Sequence, residues 1–177
     1  MATYEFALTF ALLDAGAEPA SFLDALYAAG CDDATIGVGR RGSIGLEFAR
    51  EAPSAEKAIR SAVAAVQRAI RGAQLLEVKP DLVNLSDVAE LVGVSRQNIR
   101  KYAAGEVRSV KAPFPAPCFS GTPSLWHLYE LIVWLTRHTD LRAPREIVDL
   151  SAAAYQINLE AQQRHAATLP KGKELVA

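Results

Sequence analysis

A short stretch of this chain concentrates side chains that can read the bases of a nucleic acid. Residues 96 to 111 contain five basic residues and one acidic residue, whereas the whole chain of 177 residues has a formal net charge of −1. Arginine can bind guanine through two hydrogen bonds, and glutamine or asparagine can bind adenine in the same way. Local positive charge also attracts phosphates. We therefore predict a surface that binds double-stranded DNA, formed by Ser95, Arg96, Gln97, Asn98, Arg100, Lys101, Arg108 and Lys111.

The residues around this stretch predict a helix-turn-helix at about 85–105. Ser86 is expected to cap the first helix, and Ser95 the second, because a serine hydroxyl can accept a hydrogen bond from a free backbone N–H of the first turn. Gly93 can adopt the left-handed conformation that ends a helix within a tight turn. Ile99 would point back into the core, which leaves the polar and basic residues of the second helix, 95–104, directed outward.

The segment that follows extends this pattern. It contains a proline-rich run at 112–117, a turn at Gly121, and Leu125-Trp126 before an apolar helix with Trp134-Leu135. With the two short helices, these features resemble the winged helix-turn-helix of excisionase-like and MerR-like regulators over residues 82–138. In those families a hairpin wing follows the recognition helix and touches the backbone or the minor groove.

The resemblance implies particular roles and also has limits. Recognition would fall to Arg96, Gln97, Arg100 and Lys101, with wing or loop contacts from Arg108 and Lys111. About 80 residues precede the winged helix, which departs from the MerR pattern, and the chain lacks a cysteine cluster for metal sensing.

The first 80 residues predict a different kind of structure. Apolar residues alternate with period two in some segments and follow helical spacing in others. The resulting order is strand, helix, strand, strand, helix, strand, which is typical of the ferredoxin-like α+β arrangement, βαββαβ, over residues 1–80. The predicted elements are a strand at 3–13, a helix at 18–29, a hairpin of 35–38 with 43–49, a helix at 54–71 capped by Ser54, and a strand at 73–79.

The C-terminal part is predicted to be helical. One helix is expected at 125–137 and a last one at 144–165, followed by a flexible tail at 166–177. In the last helix, apolar residues recur in steps of three and four and form an apolar seam. Such a seam can pair two subunits or pack on the chain's own core. These seam residues are Ile147, Leu150, Ala154, Ile157 and Ala161.

Few residues suggest catalysis, a metal or a cofactor. Cys31 and Cys118 are too few for a disulfide framework or a structural zinc site. His127, His138 and His165 lack the spacing of a ligand pair on a helix. Because no cluster of acid, base and nucleophile is visible, we expect a protein that is not an enzyme and that has no metal and no cofactor.

Two further patterns have simple explanations. Residues 37–42 match GxGxxG, but a strand is predicted to follow them, whereas a dinucleotide site needs a helix there; a hairpin turn is expected instead. No apolar run reaches the roughly 20 residues that span a bilayer, and the first residues lack a signal-peptide pattern. We therefore expect no membrane association and a cytoplasmic location.

The hypothesis from sequence is a transcriptional repressor that binds DNA as a homodimer on a palindromic operator. Three alternatives stay open. One is an excisionase-like architectural recombination factor, another is an antitoxin-like protein whose N-terminal domain binds a protein partner, and the weakest is an enzyme. A small effector at the N-terminal domain is also open.

Overall fold

A four-stranded antiparallel sheet forms the frame of the N-terminal half in the computed structural model, which describes residues 1–38 and 40–170. Its strands are β1 (Ala2–Ala11), β2 (Ala34–Gly37), β3 (Ser43–Ala52) and β4 (Gln74–Lys79). The strands lie in the order β2-β3-β1-β4. The chain is therefore of mixed α+β class, as the sequence predicts.

One face of this sheet is apolar and covered. Alternate residues of β1 are buried, and Phe6 lies opposite Phe48 of β3 with the ring centroids 5.3 Å apart. The covering elements are a 3-10 turn (Pro19–Phe22), helix α1 (Leu23–Ala28) and helix α2 (Ala55–Ala69). Ser54 caps α2 as predicted, since its hydroxyl accepts a hydrogen bond from the N–H of Lys57. The predicted helix at 18–29 is instead divided into the 3-10 turn and the short α1.

The glycine-rich run at 37–42 joins β2 to β3, and β3 begins at Ser43. A strand and not a helix follows the run, and it pairs antiparallel with β2, which confirms the predicted hairpin. Gly42 has φ +70°, and a Cβ atom there would lie 2.7 Å from the carbonyl oxygen of Ala15. Gly39 lies outside the described residues.

The second half has its own apolar core. Its elements are β5 (Leu82–Val83), α3 (Leu85–Val92), α4 (Arg96–Ala103), β6 (Trp126–His127) and α5 (Leu128–His138). Ile99, Leu128 and Leu131 are completely buried there. The helix predicted at 125–137 begins only at Leu128, because Trp126 and His127 pair with β5 as a strand.

The last helix, α6 (Arg145–Thr168), packs on both cores. Ile147 contacts the second core, whereas four of the five seam residues, Leu150, Ala154, Ile157 and Ala161, are buried in the core below the sheet. The seam therefore packs on the chain's own core and is not exposed for a second subunit. The helix also extends to Thr168, into the predicted tail, and residues 171–177 lie outside the described part. None of the described helices is long and apolar enough to cross a membrane.

A buried polar network fastens α6 to the rest of the chain. Asn158 pairs with the backbone of Val78: its Oδ1 accepts from the N–H (2.7 Å) and its Nδ2 donates to the carbonyl (2.9 Å). Nδ2 also donates to Asp81 Oδ2 at 2.7 Å, and Asp81 Oδ1 lies 2.7 Å from His127 Nδ1. The Asn158 amide thus occupies the edge of β4 in the way that another strand would.

We expect Asn158→Ala to lower the free energy of unfolding by about 3 kcal/mol. The change leaves the N–H and carbonyl of Val78 and one oxygen of Asp81 without a partner, and each orphaned buried group costs about 1–3 kcal/mol before relaxation. Urea unfolding followed by circular dichroism measures the loss. Gln156→Ala, at an exposed position of the same helix, is the control. A loss for Asn158→Ala no larger than that for the control would contradict the prediction.

Candidate nucleic-acid interface

Helix α3 begins with a reciprocal cap. Asn84 Oδ1 accepts hydrogen bonds from the N–H groups of Ser86 (2.7 Å) and Asp87 (3.2 Å), and Asp87 Oδ2 accepts one from the N–H of Asn84 (3.0 Å). The predicted cap at Ser86 is therefore wrong. The cap is Asn84 and the helix begins at Leu85, two residues earlier than a cap at Ser86 would give, which places Ser86 inside the first turn. Asparagine followed three residues later by an acid is the signal that locates this cap.

The turn between α3 and α4 depends on Gly93. This residue has φ +75° and ψ 35°, the left-handed conformation, and the next N–H, of Val94, donates to the carbonyl of Ala89 at 2.8 Å. No atom lies within 4 Å of the position that a Cβ would occupy. The glycine is thus needed for its backbone conformation and not for space. The turn predicted from sequence is present at this residue.

Helix α4 is held by its apolar side. Ser95 caps it as predicted, with its hydroxyl accepting from the N–H of Asn98 at 3.2 Å. Ile99 is fully buried, and the ring of Tyr102 meets the ring of Trp134 edge-on at 6.1 Å. These contacts fix the rotation of α4 about its own axis, so that the opposite side of the helix must face outward.

That outward side carries most of the predicted site. Ser95, Arg96, Gln97, Arg100 and Lys101 are exposed, whereas Asn98 is half-buried beside the cap. We call Arg96, Arg100 and Lys101 the basic helix surface. Within the part of the chain that the structure describes, none of these three forms an ion pair with a carboxylate. Their charges are therefore available to an anionic partner.

The segment after α4 is irregular but anchored. Arg108 and Lys111 are exposed in it, outside α4. Two indole N–H groups hold the proline-rich run: Trp134 Nε1 donates to the carbonyl of Pro113 (2.8 Å), and Trp126 Nε1 donates to that of Pro115 (2.9 Å). The ring of Phe114 packs edge-on against both indoles.

A minimal hairpin follows this run. Phe119 and Leu125 exchange two backbone hydrogen bonds, of 3.2 and 2.9 Å, and residues 120–124 form the loop between them. We call residues 119–125 the loop hairpin. A groove of about 440 Å³ separates it from α4, lined by Ser86, Arg100, Pro123 and Trp126 among others. The groove brings Arg100 and the loop hairpin to one side of the molecule.

The thiols are poor nucleophiles. Burial raises the pKa of the Cys31 thiol above its ordinary value, and partial burial does the same for the pKa of Cys118. Both groups are therefore protonated at neutral pH, and Cys118 points its Sγ at the carbonyl of Leu125, 3.3 Å away. Among the described residues, no group of His, Cys, Asp and Glu is arranged to hold a metal ion.

The sequence did not identify the residues that connect this interface to the rest of the chain. His127 lies directly before α5; its ring bonds to the buried Asp81 and packs against Tyr155, with ring centroids 4.5 Å apart. Tyr155 donates in turn to Glu130, a hydrogen bond that raises the pKa of the tyrosine. Contacts between such distant positions leave no local pattern in a sequence.

Comparison with known proteins adds no relative: no family model, no characterised protein and no solved structure matches the chain. The geometry of the helix pair, its exposed side chains and the loop hairpin is therefore the basis for assigning a function.

We expect Gly93→Ala to destabilise the protein by about 1–2 kcal/mol, the cost of a side chain in the left-handed conformation. Gly93→Asn should cost less, because asparagine tolerates this conformation better. Since a Cβ would meet no neighbour, the two variants differ in backbone preference and not in a clash. Chemical unfolding of the three proteins measures their order of stability. Equal stability of the glycine and alanine proteins would show that the turn does not depend on this residue.

Proposed function

We propose that this chain is a sequence-specific double-stranded DNA-binding protein that represses transcription. The observation that carries the proposal is the exposed side of α4, where Arg96, Gln97, Arg100 and Lys101 project together. A major groove about 12 Å wide admits an α-helix, and these side-chain types make the hydrogen bonds that distinguish guanine and adenine. Repression follows from occupancy of a promoter by the bound protein.

The arrangement around α4 supports a winged helix-turn-helix. The pair α3 and α4 meets at a left-handed Gly93, and the loop hairpin at 119–125 follows the second helix and precedes α5. In this reading α4 is the recognition helix and the loop hairpin is the wing. Arg108 and Lys111 lie between the two, where contacts with the phosphate backbone would add affinity that depends on salt.

The order of the elements and strands in the N-terminal half supports a ferredoxin-like fold. Its elements follow in the order βαββαβ, and its antiparallel strands lie in the order β2-β3-β1-β4. We propose that this half is a ferredoxin-like domain that carries the DNA-binding half and provides a surface for a partner. We propose a binding role for the chain and no catalytic step.

DNA binding is tested by fluorescence anisotropy with a duplex from upstream of the gene and a scrambled duplex of the same composition. We expect preference for the native duplex and weaker binding as salt rises. Arg96→Ala and Arg100→Ala should each cost about 1–3 kcal/mol of binding free energy and reduce the preference. Arg71→Ala removes the same charge from an exposed position of the N-terminal half and should leave the preference intact.

The opposite result is equally informative. If neither duplex binds at low salt, the helix pair is a structural corner of the domain, and its outward charges are only solvated. If both duplexes bind equally and all three variants weaken binding alike, the protein binds DNA through its overall field and not through α4.

A further inference from the structure

The sheet has an uncovered face that is acidic. On the side opposite α1 and α2, Glu5, Glu47 and Glu51 are exposed on the two central strands. The register places Glu5 opposite Ala49, between the other two, with small residues around them. We call these three residues the acidic sheet face. None of them forms an ion pair within residues 1–38 and 40–170.

Part of this face is recessed. A cleft of about 490 Å³ is lined by Glu5 and Glu47, and by Leu91 of α3 and Ile147 of α6. Lys79 also lines it, but its ammonium group pairs with Glu77 at 3.6 Å, which offsets its charge. Ala7 and Ala49 separate the carboxylates. A cation that entered this cleft would be partly removed from water, which strengthens its attraction to a carboxylate. The face therefore favours a cationic partner with long side chains that can reach into the recess.

The chain itself carries such a partner. The basic helix surface presents three cations, equal in number to the three carboxylates of the acidic sheet face, and both sets are exposed and without ion pairs in the described part. Both belong to one chain, so a second copy supplies the complementary surface for either set. The seam of α6, the other candidate for pairing subunits, is buried in the chain's own core.

We propose that the acidic sheet face of one copy binds the basic helix surface of a second copy, so that self-association and DNA binding compete for the same arginines. This inference rests on the proposed function, because it assigns a regulation to the same helix. Concentrated protein without DNA is paired, and DNA separates the pair by taking α4. Complementary charge of this kind governs the choice and orientation of partners more than it adds affinity.

The strength of the association follows from its chemistry. Ion pairs at exposed positions are weak individually and are screened when the Debye length falls below about 10 Å, near 0.1 M salt. We therefore expect pairing at micromolar protein in low salt and its loss as salt rises several-fold. Pairing also prevents the basic side chains of α4 from binding phosphates nonspecifically, until a DNA duplex competes for these side chains.

Analytical ultracentrifugation of the full chain across a salt series tests the pairing. The variant Glu5→Gln, Glu47→Gln and Glu51→Gln should be monomeric where the unchanged protein pairs, and should bind DNA at least threefold more tightly. The control is Asp14→Asn, Asp24→Asn and Asp140→Asn, three exposed positions that neither line the cleft nor adjoin a residue that lines it, and it changes net charge equally. The control should pair as the unchanged protein does, and its gain in DNA affinity should be smaller.

A mixing experiment identifies the two surfaces. Arg96→Ala with Arg100→Ala in one chain should also be monomeric, because its basic side is lost. Mixed with the sheet-face variant, it should form a one-to-one complex, since one chain keeps the carboxylates and the other keeps the arginines. A monomeric unchanged protein at low salt, pairing that survives in either variant, or a mixture without a complex would each overturn the inference.

These outcomes are separable from the proposed function. If the unchanged protein stays monomeric but prefers its native duplex, the pairing is wrong and DNA recognition stands. If the protein pairs as described but binds no duplex, the basic helix surface serves self-association alone.

Discussion

The carboxylate of Asp81 is the point at which the two halves of this protein are joined. It is almost completely buried, and its two oxygens meet His127 on one side and Asn158 on the other. The backbone carbonyl of the same residue accepts from the N–H of Leu128, at the start of α5. An isolated buried charge is costly, so this one requires both partners. The strand β6, the helix α5 and the helix α6 consequently take their positions from one residue in the link after β4.

The position of the exposed side of α4 also depends on the contacts of Asp81. Ile99 and Tyr102 anchor the helix to a core that α5 completes, and α5 is tied through its first N–H to Asp81. Recognition by a helix requires side chains held at a fixed angle to their target. The recognition proposed for α4 rests on local charge on an anchored helix, although the total charge of the chain is nearly zero.

Much of this could be predicted from local sequence signals. The glycine turn at Gly93, the serine caps at Ser54 and Ser95, and the alternation along β1 each follow from the conformational preference of a few neighbouring residues. The first cap of the helix pair was misplaced, because Ser86 and Asn84 are both good capping residues and only the start of the helix decides between them. The short strand β6 was predicted as helix, since its pairing with β5 is a contact across more than 40 positions.

Side-chain contacts between distant segments could not be predicted at all. From its sequence position, Asn158 would be assigned to the polar side of an amphipathic helix. It is instead buried and pairs with a strand edge eighty positions earlier. The seam of α6 has the spacing of a subunit interface, and only the packing shows that its apolar side faces the sheet domain of the same chain.

The double role of α6 also bears on how the protein matures during synthesis. The core beneath the sheet lacks Leu150, Ala154, Ile157 and Ala161 until the ribosome has released α6, which follows the whole second half in the chain. The edge of β4 stays open until Asn158 emerges, and an open strand edge invites pairing with other chains. The first domain therefore stays unfinished while the residues of the second half are synthesised, and both halves are completed by the same helix, α6.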